Sequence, residues 1–252
     1  MSDTPIYFAE GDSPQMIAAF QKAQDTFRYF WRELSWEYRR IIPGLDLACV
    51  KAAFSQELPG RIKPVVEHMW INEIDFDGEM INGTLVNQPN ELTNVNNGDR
   101  VSIPLNQISD WLFAIGGDTY GGFTIQAMRA MMPPAERREH DSAWGLNFGD
   151  YNDILLVNNQ KTQPENLVEH PMSRNMKAKL EEFLQQHPGE VNGRDENGYT
   201  MLHRETIAGN LTSVEVLLQQ GADKNAVTNS GKTALDFARK LKWEHLIPVL
   251  EK

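Results

Sequence analysis

The sequence predicts an α+β protein: a long N-terminal helix packed on a mostly antiparallel sheet, followed by an all-α helical stack at the C-terminus. Three observations carry this. Apolar residues recur at steps of three and four from Met16 to Tyr38. Strand-like segments follow, two of them joined through Asp77-Gly78. Near the end, Gly198-Tyr-Thr-Met-Leu202 and Gly231-Lys-Thr-Ala-Leu235 repeat with an offset of 33 residues.

Ser13-Pro14 reads as a helix cap with proline at the first helical position. The stripe of Met16, Phe20, Ala23, Phe27, Phe30, Trp31, Leu34 and Tyr38 predicts one helix that stops before Pro43-Gly44, with Arg39 and Arg40 favourably placed at its carboxyl end. Strand character then covers Leu47–Phe54, Val65–Phe76 and Met80–Val86. If the second of these alternates strictly, His68, Trp70, Asn72 and Ile74 share one face, while Glu67, Met69, Ile71 and Glu73 share the other. A short apolar run, Val101–Ile103, precedes a predicted helical turn over Leu105–Leu112 opened by Pro104. The stretch Gly116–Gly122 reads as a turn. Phe123–Met132 is a helix or a strand running into one, stopped by Pro133-Pro134. Between 133 and 172, Trp144, Phe148 and Ile154–Val157 call for burial, so this connector is expected to pack rather than dangle.

The repeat has a physical logic. Gly198 and Gly231 suit tight turns, Thr200 and Thr233 are placed to cap the helices that follow, and Gly221 ends a helix. Leu202, Val214, Leu217 and Leu218 supply an apolar stripe. Together with Asp195, Thr200-Met-Leu-His203, Gly209-Asn210, Gly221-Ala-Asp223 and Thr233-Ala-Leu-Asp236, the pattern resembles the ankyrin repeat. The stripe Met176, Leu180, Phe183 and Leu184 reads as a degenerate preceding unit, giving about two and a half repeats. So short an array is expected to lean on the N-terminal domain. Glu205 and Thr206 depart from the small pair usual in ankyrin helices, and Lys242 replaces the glycine expected after Gly209. The resemblance implies a protein-binding stack without chemistry of its own, and it gives His203 the family's turn-capping role.

Upstream, Val50-Lys-Ala-Ala-Phe54, Glu67-His-Met-Trp-Ile71, Gly83-Thr-Leu-Val-Asn87 with Pro89, Gly98-Asp99, Ile108-Ser-Asp-Trp111 and Gly121-Gly-Phe-Thr124 appear in order. In these motifs the chain resembles the YegJ-like bacterial domains of unknown function, number 2314 of that series, over residues 13–130. The resemblance implies an α+β fold and no agreed chemistry. The expected organisation is a YegJ-like domain over 1–132, a packed connector over 133–172 and an ankyrin domain over 173–252.

The net charge is −11, and its distribution matters more than its size. Residues 173–252 carry 11 basic and 11 acidic side chains, so the whole imbalance lies in residues 1–172. Between Lys63 and Arg129 the only base is Arg100, against nine carboxylates. Such a surface repels nucleic acid and anionic lipid and favours basic proteins. No run reaches the roughly 18 apolar residues of a membrane span, and Met1–Asp12 lacks the basic-then-apolar order of a secretory leader, so a cytoplasmic protein is expected. Phosphate-loop, zinc-protease, nucleophile-elbow and dinucleotide motifs are missing, the lone Cys49 lies in an apolar run, and no cofactor or metal is expected.

The leading expectation is a non-enzymatic protein-binding module, an immunity protein that occludes a basic toxin. Glu73, Asp75, Asp77, Glu79 and Glu91 are its candidate partner-binding residues, and no residue is assigned to catalysis. The alternatives are an enzyme or small-ligand receptor with a pocket around His68, Trp70, Asp110 and Trp111, and a housekeeping ankyrin scaffold.

Overall fold

A computed structural model describes residues 13–252; the segment Met1–Asp12, read above for a leader, lies outside them. The chain forms two compact units. One combines residues 13–30 with Arg40–Asn158, and the other Trp31–Arg39 with Asn159–Lys252. The boundary thus falls inside the connector, and a stretch of the first helix belongs to the second unit.

Helix α1 (Pro14–Glu37) begins where the Ser13 hydroxyl accepts the Met16 amide at 3.3 Å. It stops short of Pro43. Ile41 and Ile42 are almost wholly exposed, so no burial holds residues 38–42 in the helix, and Arg39 and Arg40 fall beyond its last turn.

The sheet of the first unit has six strands: β1 (Leu47–Gln56), β2 (Val65–Phe76), β3 (Met80–Leu85), β4 (Arg100–Pro104), β5 (Ile108–Ile115) and β6 (Asp118–Gly121). Their order is β4-β3-β2-β1-β5-β6, and every neighbouring pair is antiparallel. Two sequence expectations change here. Only Leu105–Gln107 of the predicted helical turn is helical, and the apolar run after it is β5, buried along nearly its whole length. The glycine-rich stretch after it holds a strand, β6, as well as a turn.

The first part of α1 packs on one side of this sheet. Phe27 meets Phe76 edge to face at 5.1 Å, Phe30 lies 6.0 Å from Trp111, and the Trp111 indole donates to the Ala23 carbonyl at 3.1 Å. Strict alternation along β2 fails at one point. Two residues after Asn72 face a single residue of β3, and Glu73 sits in this bulge with φ +49°. Met69 and Ile71 are buried before it, Ile74 and Phe76 after it, so the inward parity flips at Glu73.

Helices α2 (Phe123–Met131) and α3 (Pro134–Trp144) complete the unit with the chain up to Asn158. Gln126 donates to the Phe148 carbonyl at 2.7 Å, Arg129 pairs with Asp141 at 2.7 Å, and the Gly121 amide reaches the Leu155 carbonyl at 2.9 Å. Gly121 adopts φ +76°, and a Cβ there would lie 2.4 Å from the Trp111 ring, so only glycine fits. Phe148 and Val157 are buried as expected, whereas Trp144 is 39% exposed.

The second unit holds α4 (Pro171–Asn175), α5 (Lys177–Gln186), α6 (Met201–Ile207), α7 (Leu211–Gln219), α8 (Ala234–Lys240) and α9 (Ile247–Glu251). Thr200 and Thr233 cap α6 and α8 through capping boxes with His203 and Asp236. Two departures from the repeat pattern, Glu205 and Lys242, have a structural account. Glu205 accepts from Arg39 at 2.7 Å and from the Asn210 amide at 2.7 Å, while the Trp36 indole donates to Asn210 at 3.0 Å. Lys242 takes φ +57°, the left-handed conformation its missing glycine would adopt. Glu169 accepts from the Thr212 amide and hydroxyl, neutralising donors at the start of α7. Among the described residues, no helix is long and apolar enough to cross a membrane.

Candidate functional site

The β2–β3 hairpin gathers four of the five candidate carboxylates. Glu73, in the bulge, accepts the Thr84 hydroxyl at 2.7 Å and pairs with Arg100 at 3.3 Å. Asp75 is exposed opposite Asn82. Asp77 closes the turn, its Oδ1 accepting the Glu79 and Met80 amides at 2.7 Å each. Glu79 follows, half-buried. Glu91 lies elsewhere. It pairs with Arg61 beside Glu67, whose carboxylate accepts the amides of Asn90, Glu91 and Leu92. Glu67 is separated from Asp77 by ten residues of extended chain, roughly 33 Å. The structure therefore brings Glu73, Asp75, Asp77 and Glu79 together and leaves Glu91 at the far end of β2.

The residues of the alternative pocket are placed differently from one another. Trp111 is fully enclosed by Phe30, Phe113 and Phe123. Asp110 is also fully buried, on β5 rather than in the helical turn expected of it. It accepts the amides of Trp111, Phe123 and Thr124 at 2.8–2.9 Å and the Thr124 hydroxyl at 2.5 Å. Every bond is accepted, the pattern of a carboxylate. Burial pushes the Asp110 carboxyl up, and Lys51 together with these donors pulls it back. Lys51, opposite Asp110 on β1, donates to Thr124 at 3.3 Å and lies 4.8 Å over the Trp70 ring. Burial pushes the lysine down, and Asp110 opposes that. His68 stacks on Phe20 at 5.0 Å, and burial followed by the Lys51 charge holds its imidazole below the usual value. Beneath Trp70, Cys49 packs with Leu112, Ile125 and Phe148, and burial pushes its thiol far up, which removes thiolate reactivity.

Sequence reasoning missed Lys51 and Thr124 as partners of Asp110. Their link runs between strands and a helix start 73 residues apart, with no local signal. Among the described residues, no group of three His, Cys, Asp or Glu side chains could hold a metal ion.

A bacterial family described as "Uncharacterized protein conserved in bacteria (DUF2314)" matches residues 13–148. The chain belongs to the DUF2314 family. A second match, described as "Ankyrin repeats (many copies)", covers residues 184–238. The chain is similar along its length to a protein of Neisseria meningitidis serogroup B (strain ATCC BAA-335 / MC58), "Putative ankyrin repeat protein NMB1133/NMB1171". It is 49% identical over 251 residues, spanning all of this chain and 98% of that protein. "Uncharacterized protein YegJ" of Escherichia coli (strain K12) is 34% identical over 94 residues, 37% of this chain and 58% of that protein. The human "Ankyrin repeat domain-containing protein 49" is 38% identical over 74 residues, 29% of this chain and 31% of its own length.

Five of the residues that carry the DUF2314 resemblance, Lys51, His68, Trp70, Asp110 and Thr124, are linked by the contacts just described or by the Lys51 charge. Their hydrogen bonds tie the start of α2 to the sheet. In the ankyrin unit, His203 has a corresponding structural task. Its Nδ1 accepts the Thr200 amide at 3.0 Å, and its Nε2 meets the Ala226 carbonyl at 3.1 Å. That pattern needs the neutral ring. Burial is the main cause holding His203 below the usual histidine value, with Arg194 and Arg204 adding to it against the two carbonyls. A depressed histidine contributes stability that is present above the unfolded value of about 6.5 and is lost as pH falls through the folded one. Thermal melting followed by circular dichroism should therefore show a lower midpoint at about pH 5.5 than at about pH 7.5. His203→Gln should flatten that dependence. An equal slope in the variant would assign the pH effect elsewhere.

Proposed function

We propose that this protein acts without chemistry of its own, as a bacterial immunity protein that binds and occludes a basic toxin in the cytoplasm. The observation that carries the reading is the hairpin bearing Glu73, Asp75, Asp77 and Glu79, in a stretch where Arg100 is the only base, on a chain that also bears ankyrin repeats. Ankyrin stacks present extended surfaces to other proteins. Clustered carboxylates speed encounter with a basic partner and disfavour nucleic acid. The competing ligand-pocket reading has less to draw on, because Asp110 and Trp111 are enclosed and already bonded.

The test begins with co-purification from the native cell at low salt and identification of what stays bound. Glu73→Lys, Asp75→Lys and Glu79→Lys combined should then slow association with that partner by about tenfold or more at low salt, with a smaller change in dissociation. Asp77 is kept, because it closes the turn. A retained partner that is acidic, or an association rate indifferent to the three reversals, would remove the electrostatic reading.

A further inference from the structure

The side of the sheet that carries Trp70 is covered only in part. Cys49 and Leu112 lie under Ile125 and Phe148, but beyond Trp70 the cover ends. Pairing register places Asn72 opposite Thr84 and Asp75 opposite Asn82, so these four side chains point to one side of the sheet, the side of Trp70. Asp75 is exposed and the other three are half-buried. This is a polar, open sheet face bordered by tryptophan.

One observation at that border points to an occupant. Trp144 keeps 39% of its surface exposed although its ring is held by Trp70, Phe148 and His140 at 6.5, 5.8 and 6.3 Å. A large aromatic fixed in place before binding loses little entropy when a partner covers it.

Resting on the basic-partner reading above, we propose that an extended, arginine-bearing segment of the partner lies on this open face. One guanidinium stacks on Trp144, and a second basic side chain reaches Asp75. Arginine fits better than lysine at the first position, because its planar group can stack and still donate. Along β2, Trp70 and Asp75 are roughly 15 Å apart, so two basic side chains span the site better than one. Asp75 makes no ion pair among the described residues, whereas Glu73 is already engaged by Arg100. Lys51 already lies over the Trp70 ring, so the partly exposed Trp144 is the better platform for the guanidinium.

The full chain, labelled with nitrogen-15, can be titrated at low salt with a ten-residue peptide of alternating glycine and arginine. Saturable shifts are expected at the indole N–H of Trp144 and Trp70 and at the side-chain amide of Asn72. Trp144→Leu, which keeps an apolar contact with Trp70, combined with Asp75→Asn should weaken binding about tenfold. Glu215→Gln, which removes one exposed charge from the ankyrin unit, should leave it unchanged. Shifts confined to the ankyrin unit, or equal weakening by Glu215→Gln, would overturn the assigned face while the basic-partner reading stands. No saturable shift anywhere in the chain would remove both.

Discussion

Asp110→Ala is expected to destabilise the DUF2314 unit by about 3–5 kcal/mol, enough to unfold a domain of ordinary stability. The carboxylate is fully buried and is the acceptor for the first amides of α2, those of Phe123 and Thr124. Alanine leaves these amides and the Thr124 hydroxyl unsatisfied in a closed interior, each at a cost of roughly 1–3 kcal/mol. It also leaves the Lys51 ammonium without its nearest opposing charge. Asp110→Asn keeps the shape and an acceptor oxygen, so its loss should be smaller, about 2 kcal/mol. The charge component can be separated. Lys51→Met in the Asp110→Ala background should recover part of the loss, because no unpaired ammonium remains. Urea unfolding followed by tryptophan fluorescence reads all three variants. A shift below about 1 kcal/mol for Asp110→Ala would show that Asp110 does not hold α2 to the sheet.

Elements specified by local chemistry were legible in the sequence. Ser13-Pro14, Asp77-Gly78 and the Thr200 and Thr233 caps each act within a few residues, and each is where the pattern placed it. What needed distant partners was not. The apolar run from Ile108 to Ile115 is buried on both faces, and such a run lacks the alternation that distinguishes a strand from a helix. The bulge at Glu73 has no residue signature, since glutamate rarely takes positive φ; opposite it, a Cβ on Gly83 would lie 2.6 Å from the Asn72 carbonyl oxygen. For the site, composition located the acidic hairpin, because charge adds up along the sequence. It also grouped Glu91 with the others, although the loop after β3 returns it to the start of β2, beside Glu67. Glu205 looked like a defect in an ankyrin helix. Its reason is Arg39, a residue 166 positions away that no repeat pattern contains.

Arg32→Ala should cost the ankyrin unit about 3–5 kcal/mol, the second large effect expected in this chain. Arg32 is almost completely buried, and its guanidinium donates to the carbonyls of Asn166, Leu167 and Val168. These lie at the end of the short 3-10 helix Pro164–Leu167, where free carbonyls concentrate negative charge. The same group sits 5.3 Å over the Trp243 ring, whose indole donates to Ile207 at 3.2 Å. One side chain of α1 thus touches both the entry to the stack and its last repeat. Truncation leaves the carbonyls unsatisfied and a cavity beside Trp243. Lysine keeps the charge but cannot fork to three acceptors, so Arg32→Lys should also lose about 1–2 kcal/mol. So short a stack buries little by itself, and residues 31–39 give it a further neighbour with Trp36 and Arg39 as well as Arg32. Limited proteolysis of full-length Arg32→Ala, mapped by mass spectrometry, should cut first within 159–252. Cuts confined to residues 40–158, with the melting of the repeats unchanged, would show that the ankyrin stack holds itself.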